Sequence, residues 1–185
     1  MLELDYPRDL VMIGAIFGLA TLMWAGWAQE QPPAGVAWRI VLATLSVLGL
    51  VLMALSIPLA IKNWSTPSAI NPHTTGFVVY VIVFWVEVVI CAVLAIIAVR
   101  AGRLDLIAPL IMLIVGIHFF ALALVFHQPV LHLAGALLTA IAILAAFLPV
   151  ENIARSFWCG VLGAPVFIAI GAWCYVAGRG ALAAA

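Results

Sequence analysis

Gly76-Phe-Val-Val-Tyr80-Val-Ile-Val-Phe84-Trp85-Val-Glu87-Val-Val-Ile90-Cys91-Ala-Val-Leu-Ala95-Ile-Ile-Ala-Val99 runs from a polar loop to Arg100 with one acidic residue and no basic one. A helix needs about 20 apolar residues to cross the hydrocarbon of a bilayer, and this run supplies them. The rest of the chain repeats the pattern. Of 185 residues, 68% are hydrophobic and 8% charged, whereas a soluble domain carries about 25% charged residues. A single core of this size cannot hide so much apolar surface from water. Lipid as solvent removes the difficulty. The expected fold is therefore all-α, an integral membrane bundle of six transmembrane helices forming one domain.

Working outward from this third segment, polar breaks set the others. The first runs from Leu10 to Ala28, after Glu3, Asp5, Arg8 and Asp9, and closes on Trp24 and Trp27. Tryptophan favours the membrane interface, so these two mark an exit. A cleaved signal peptide is disfavoured, because the leading residues are more acidic than basic and the apolar run is long. Gln29 to Pro33 turns the chain, and the second segment spans Trp38 to Ile61. Ser65 to Thr75 is the longest loop. Arg100 to Asp105 is a tight charged hairpin into the fourth segment, Leu106 to Phe126. The fifth spans Val130 to Pro149 and the sixth Phe157 to Ala177.

An even number of crossings puts both termini on one side, with Arg8, Lys62 and Arg179. The opposite side has Arg39, Arg100, Arg103 and Arg155. The basic excess leans the termini to the outside. Net charge is zero. With no basic patch, nucleic acid is not an expected partner; the partner expected is the lipid bilayer itself. Cys91, Cys159 and Cys174 lie in apolar stretches without Cys-x-x-Cys spacing, which points away from a disulfide framework or a thiolate metal site.

The halves share short elements in the same order: Gly14-Ala-Ile-Phe17 with Gly116-Ile-His-Phe119, Pro58 with Pro149, and Ala101-Gly-Arg103 with Ala177-Gly-Arg179. Two three-helix units would be inverted relative to each other, an architecture common in transporters. Chance likeness between apolar helices accounts for the same anchors.

Glu87 is the informative residue. A charged side chain at mid-membrane costs about 2.5–3.5 kcal/mol on insertion scales, so it faces a helix interface or a wet cavity rather than lipid. Desolvation favours the neutral acid unless a partner is present. His118 is that partner by depth. Counting both ways from Arg103, the two residues differ by about 1–2 Å along the membrane normal at about 1.5 Å per residue. Rotation about the helix axes is not fixed by the count. If the two side chains face each other, they titrate as a unit. Tyr80, Phe84, Glu87 and Cys91 fall on one helix face at three- and four-residue steps, so Tyr80 and Cys91 join Glu87 and His118 as candidate ligand- or proton-binding residues. Core packing would produce the same stripe.

His127 and His132 flank Pro129 near an interface. A bis-histidine haem needs two facing imidazoles, and only His118 is deep. Zinc needs three or four converging ligands, which this spacing does not supply. No metal and no cofactor is expected. No Gly-rich phosphate loop, Gly-x-Ser-x-Gly elbow or His-Glu-x-x-His helix occurs.

The stretch Val115-Gly-Ile-His118-Phe-Phe-Ala-Leu-Ala-Leu-Val-Phe126-His-Gln-Pro129, with Gly135-Ala-Leu-Leu138 after it, resembles a segment of small uncharacterised bacterial multi-pass membrane proteins. The resemblance covers mainly residues 115–138. It implies a bacterial inner-membrane location and no particular activity. Three functions remain open. The first is transport or permeation of a proton-linked or small polar or lipophilic ligand through the Glu87–His118 pair. The second is a non-catalytic scaffold subunit or homo-oligomer in which the pair glues helices. The third is an enzyme on a lipid-soluble substrate, which would need a cavity open sideways to the bilayer.

Overall fold

The computed structural model describes residues 2–149 and 151–184. These form α1 (Pro7–Trp27), α2 (Val36–Lys62), α3 (Thr75–Arg100), a 3-10 turn (Leu104–Leu106), α4 (Ile107–Val125), α5 (Val130–Phe147) and α6 (Arg155–Ala184). All six α-helices are long and apolar enough to cross a membrane. Among the described residues there is no strand.

Several helix ends differ from the expected ones for local reasons. α1 starts at Pro7 rather than Leu10, with proline in its first turn and Asp9 beside the positive end of the helix dipole. α5 stops at Phe147 because Leu148, which precedes Pro149, is extended with ψ 148°; proline pushes its predecessor out of the helical region. α6 runs past Ala177 to Ala184. The alanine-rich tail has the best helix former, so the helix continues where the apolar span ends.

α1 and α6 lie antiparallel at the centre, with Gly178 beside Pro7 and Leu10, and Gly171 beside Phe17. This places the described ends of the chain at one end of the bundle, called the termini end below; the other is the hairpin end. α2 covers α1 and α6, while α4 and α5 pair and lean on α6. α3 packs mainly on α4, with a smaller contact to the 3-10 turn, and among its residues only Ala98 is buried. An apolar helix so bare would be a hazard in water; in lipid it is an outer wall. The two halves do not pack alike, since α5 and α6 touch where α2 and α3 do not.

Two close approaches hold the helices. A Cβ on Gly49 of α2 would stand 2.5 Å from the Gly18 carbonyl oxygen of α1. A Cβ on Gly116 of α4 would stand 2.7 Å from the Thr139 backbone nitrogen of α5. Small residues at such crossings let backbones meet, which is how helices gain packing in lipid. Phe17, Phe119 and Phe167 bring α1, α4 and α6 together, with ring centres 5.2 and 5.3 Å from Phe17 in edge-to-face geometry.

Candidate functional site

The hairpin joining α3 and α4 sets the depth of the site. Gly102 has φ +67°. Its N–H donates to the Val99 carbonyl, and the Arg103 N–H reaches back to the Ala98 carbonyl at 2.8 Å. This 6→1 and 5→2 pairing is a Schellman ending, which needs a left-handed residue and so favours glycine. The chain then re-enters a helix within a few residues, so positions equally far from Arg103 return to the same level. Arg103 is exposed, and its hydrogen bond to Asp105 and the charge of that carboxylate hold its guanidinium above the usual range. Asp105 also pairs with Arg155 at the start of α6, which pins the hairpin to the bundle.

Glu87 and His118 meet. His118 Nδ1 lies 3.0 Å from Glu87 Oε2, and the side chains are 11% and 18% exposed respectively. The approach is close but badly aimed, and Nδ1 has no aligned hydrogen-bond partner. The pair is therefore a close polar contact rather than an aligned hydrogen bond.

The pair borders a cavity of about 720 Å³ between α1, α3 and α4, closed behind by Phe167 of α6. Tyr80 is on its wall, as expected. Cys91 is partly buried but not on the wall. One further turn along α3 carries it about 6 Å toward the hairpin, so the shared helix face does not make a shared pocket. Trp24 is 7% exposed, stacks on Trp27 at 5.5 Å, and lines the cavity.

Two further cavities abut this one. Toward the termini end, a cavity of about 390 Å³ with Arg8, Asp9 and Ser68 shares Ile16, Tyr80 and Phe126 with it. Toward the hairpin end, a cavity of about 580 Å³ with Glu30, Asp105 and Arg155 shares Trp27. A mainly apolar chamber carrying Arg8, Asp9 and Ser68 thus lies toward one end, and a mixed chamber carrying Glu30, Asp105 and Arg155 toward the other, of an apolar chamber holding one acid and one base. The residues shared between them are aromatic or aliphatic: Ile16, Tyr80 and Phe126 on one side and Trp27 on the other.

His127 and His132 lie away from the pair, around a cavity with Glu3, Asp5 and Tyr6 near the chain start. Among the described residues, no three His, Cys, Asp or Glu side chains converge as metal ligands would. Sequence reasoning missed Trp24, Phe119, Phe126 and Phe167 as cavity residues, because apolar rings on three different stretches look alike until the helices are packed.

Neither a protein-family model, a curated protein nor a solved structure matches the chain.

Proposed function

We propose that this is a small membrane transport or permeation protein in which Glu87 accepts a proton and His118 partners and tunes it. One observation carries the reading: the 3.0 Å contact stands on the wall of a cavity between α1, α3 and α4, with further cavities carrying charged residues toward each end of the bundle. A carboxylate needs no cavity of that size to glue two helices. It needs one if a proton, water or small ligand must reach it.

The location that goes with this reading is a bacterial inner membrane, with the termini at the outer face. Its support is the resemblance of residues 115–138 and the slight excess of basic residues at the opposite end, Arg39, Arg100, Arg103 and Arg155 against Arg8, Lys62 and Arg179. An inverted repeat of two three-helix units is not required by it.

The test is proton flux into proteoliposomes loaded with a pH-sensitive dye, under an imposed pH gradient with potassium and valinomycin to clamp the potential. The expected result is flux above protein-free liposomes, falling to that background in Glu87→Gln and reduced in His118→Ala. Full flux in both variants overturns the proposal.

One observation favours a second reading. α3 has α4 as its main support, so Glu87–His118 is also the polar cross-link that holds α3 in place. A scaffold role predicts that the same variants lose α3 docking or assembly, with no flux to lose in the folded wild type.

A further inference from the structure

We infer that the middle cavity binds a lipophilic cation that enters sideways from the bilayer between α1 and α3. The inference deepens the reading of Glu87 and His118 as a proton-linked site and rests on it.

Entry follows from the walls. α1 and α3 both line the cavity, yet they do not pack on each other to any extent. Residues on the two flanks are open: Met23 of α1 is 63% exposed, Ile16 of α1 48% and Phe84 of α3 42%. α3 is an outer wall, so this gap faces hydrocarbon, and a ligand dissolved in the bilayer reaches the cavity without crossing water.

Charge follows from the lining. Glu87 is the one acid on the wall, and there is no Lys or Arg among the described lining residues. An anion would meet a carboxylate with only His118 to offset it. A neutral molecule would leave the carboxylate uncompensated. A cation satisfies it. The rings of Trp24, Trp27, Tyr80, Phe84 and Phe119 surround the same space. Their faces attract cations, most strongly where water is excluded, and their area takes apolar limbs. The volume of about 720 Å³ falls within the roughly 300–1,000 Å³ of small-molecule sites.

Exchange follows from the poor aim of His118. A cation that takes over Glu87 gives up no well-formed hydrogen bond, because the imidazole makes none there. Protons compete with the cation, since a protonated Glu87 carries no charge. The groups facing Glu87 are His118 from α4 and, on its own helix, Tyr80 and Cys91; α1 and α6 place no titratable group on this wall. Binding therefore weakens as pH falls, with Glu87 and His118 as the pair that takes up the protons.

The experiment is equilibrium binding of radiolabelled tetraphenylphosphonium to the full chain in a non-ionic detergent, against tetraphenylborate, which has the same shape and the opposite charge. Saturable phosphonium binding at pH 8, at least tenfold tighter than the borate, is expected. Affinity should drop at least tenfold by pH 5 and at least tenfold in Glu87→Gln, while Glu87→Asp retains binding. Equal or tighter borate binding overturns the inference, as does unchanged affinity in a folded Glu87→Gln protein. If that variant does not fold, the wild-type comparison of the two ions decides alone. No gradient is involved. Glu87-dependent proton flux without phosphonium selectivity removes the cation and leaves the proton site. Selective phosphonium binding without flux supports the cation site and removes the transport reading.

Discussion

Glu87 and His118 stand where hydrocarbon surrounds the bundle, and each limits the other. The carboxylate has one imidazole at 3.0 Å and an otherwise apolar, aromatic wall. Polar contacts between membrane helices contribute about 0.6 kcal/mol on average and up to about 1.7, so the pair adds modestly to stability. Replacing His118 by Leu should lower unfolding free energy by about 0.6–1.7 kcal/mol, read by titration with a denaturing detergent. Glu87→Gln should cost less, because an amide keeps a polar side chain of the same shape beside the ring. A loss well above that range for Glu87→Gln would mean the acid is structural. The pair's depth was legible in the sequence because the hairpin around Arg103 is short. That the side chains face each other was not, since rotation about the helix axes depends on contacts with α1 and α6. A tryptophan near a segment end reads as interfacial; that Trp24 also lines the cavity depends on packing, with its backbone against Gly160 of α6.

At the scale of elements, glycines decide which helices come close and where the chain turns. Gly116→Val would press a side chain against the Thr139 backbone. Backbone cannot swing aside as a long side chain can, so the cost should lie at or above the upper end of the about 1–3 kcal/mol typical of overpacking. Gly26 has nothing within 4 Å and is exposed on α1, so Gly26→Ala should be neutral or stabilise by up to about 1 kcal/mol through helix propensity. Thermal melts of the two variants in the same detergent compare them directly. At the hairpin, Gly102→Val forces a branched residue into φ +67°. That should cost about 1–2 kcal/mol and, by loosening the turn, reduce proton flux as well. An unchanged melt would show that the hairpin is held by the Arg103–Asp105–Arg155 cluster instead. The helices were readable from length and hydropathy. Their ends were readable only where a proline, a left-handed glycine or an alanine run dictated them.

In the whole molecule, buried polar groups tie the chain start to two inter-helix connections at the termini end of the bundle. Asp9, 2% exposed, accepts from the Ser68 hydroxyl at 3.0 Å and the Ala69 N–H at 2.7 Å, fastening the α2–α3 connection to α1. Gln128, fully buried, exchanges hydrogen bonds with the Glu3 backbone. Asp9→Ala leaves those donors unpaired, at about 1–3 kcal/mol. It should also speed protease cleavage within residues 65–74, and an unchanged cleavage rate would show the loop is held otherwise. Nothing in the sequence announces that Asp9 reaches a loop some sixty residues on; a polar residue before an apolar run reads as solvated. Length and hydropathy make the six long apolar helices plain, whereas the order of packing, with α3 outermost and a chamber behind it, comes from contacts far apart in the chain. The proposed proton site requires that Glu87 and His118 titrate as a coupled pair. Nitrogen-15 NMR of His118 in lipid, titrated across pH in the wild type and in Glu87→Gln, measures this most directly. Coupled titration predicts that removing the carboxylate changes the imidazole titration curve. Superimposable curves would contradict the account.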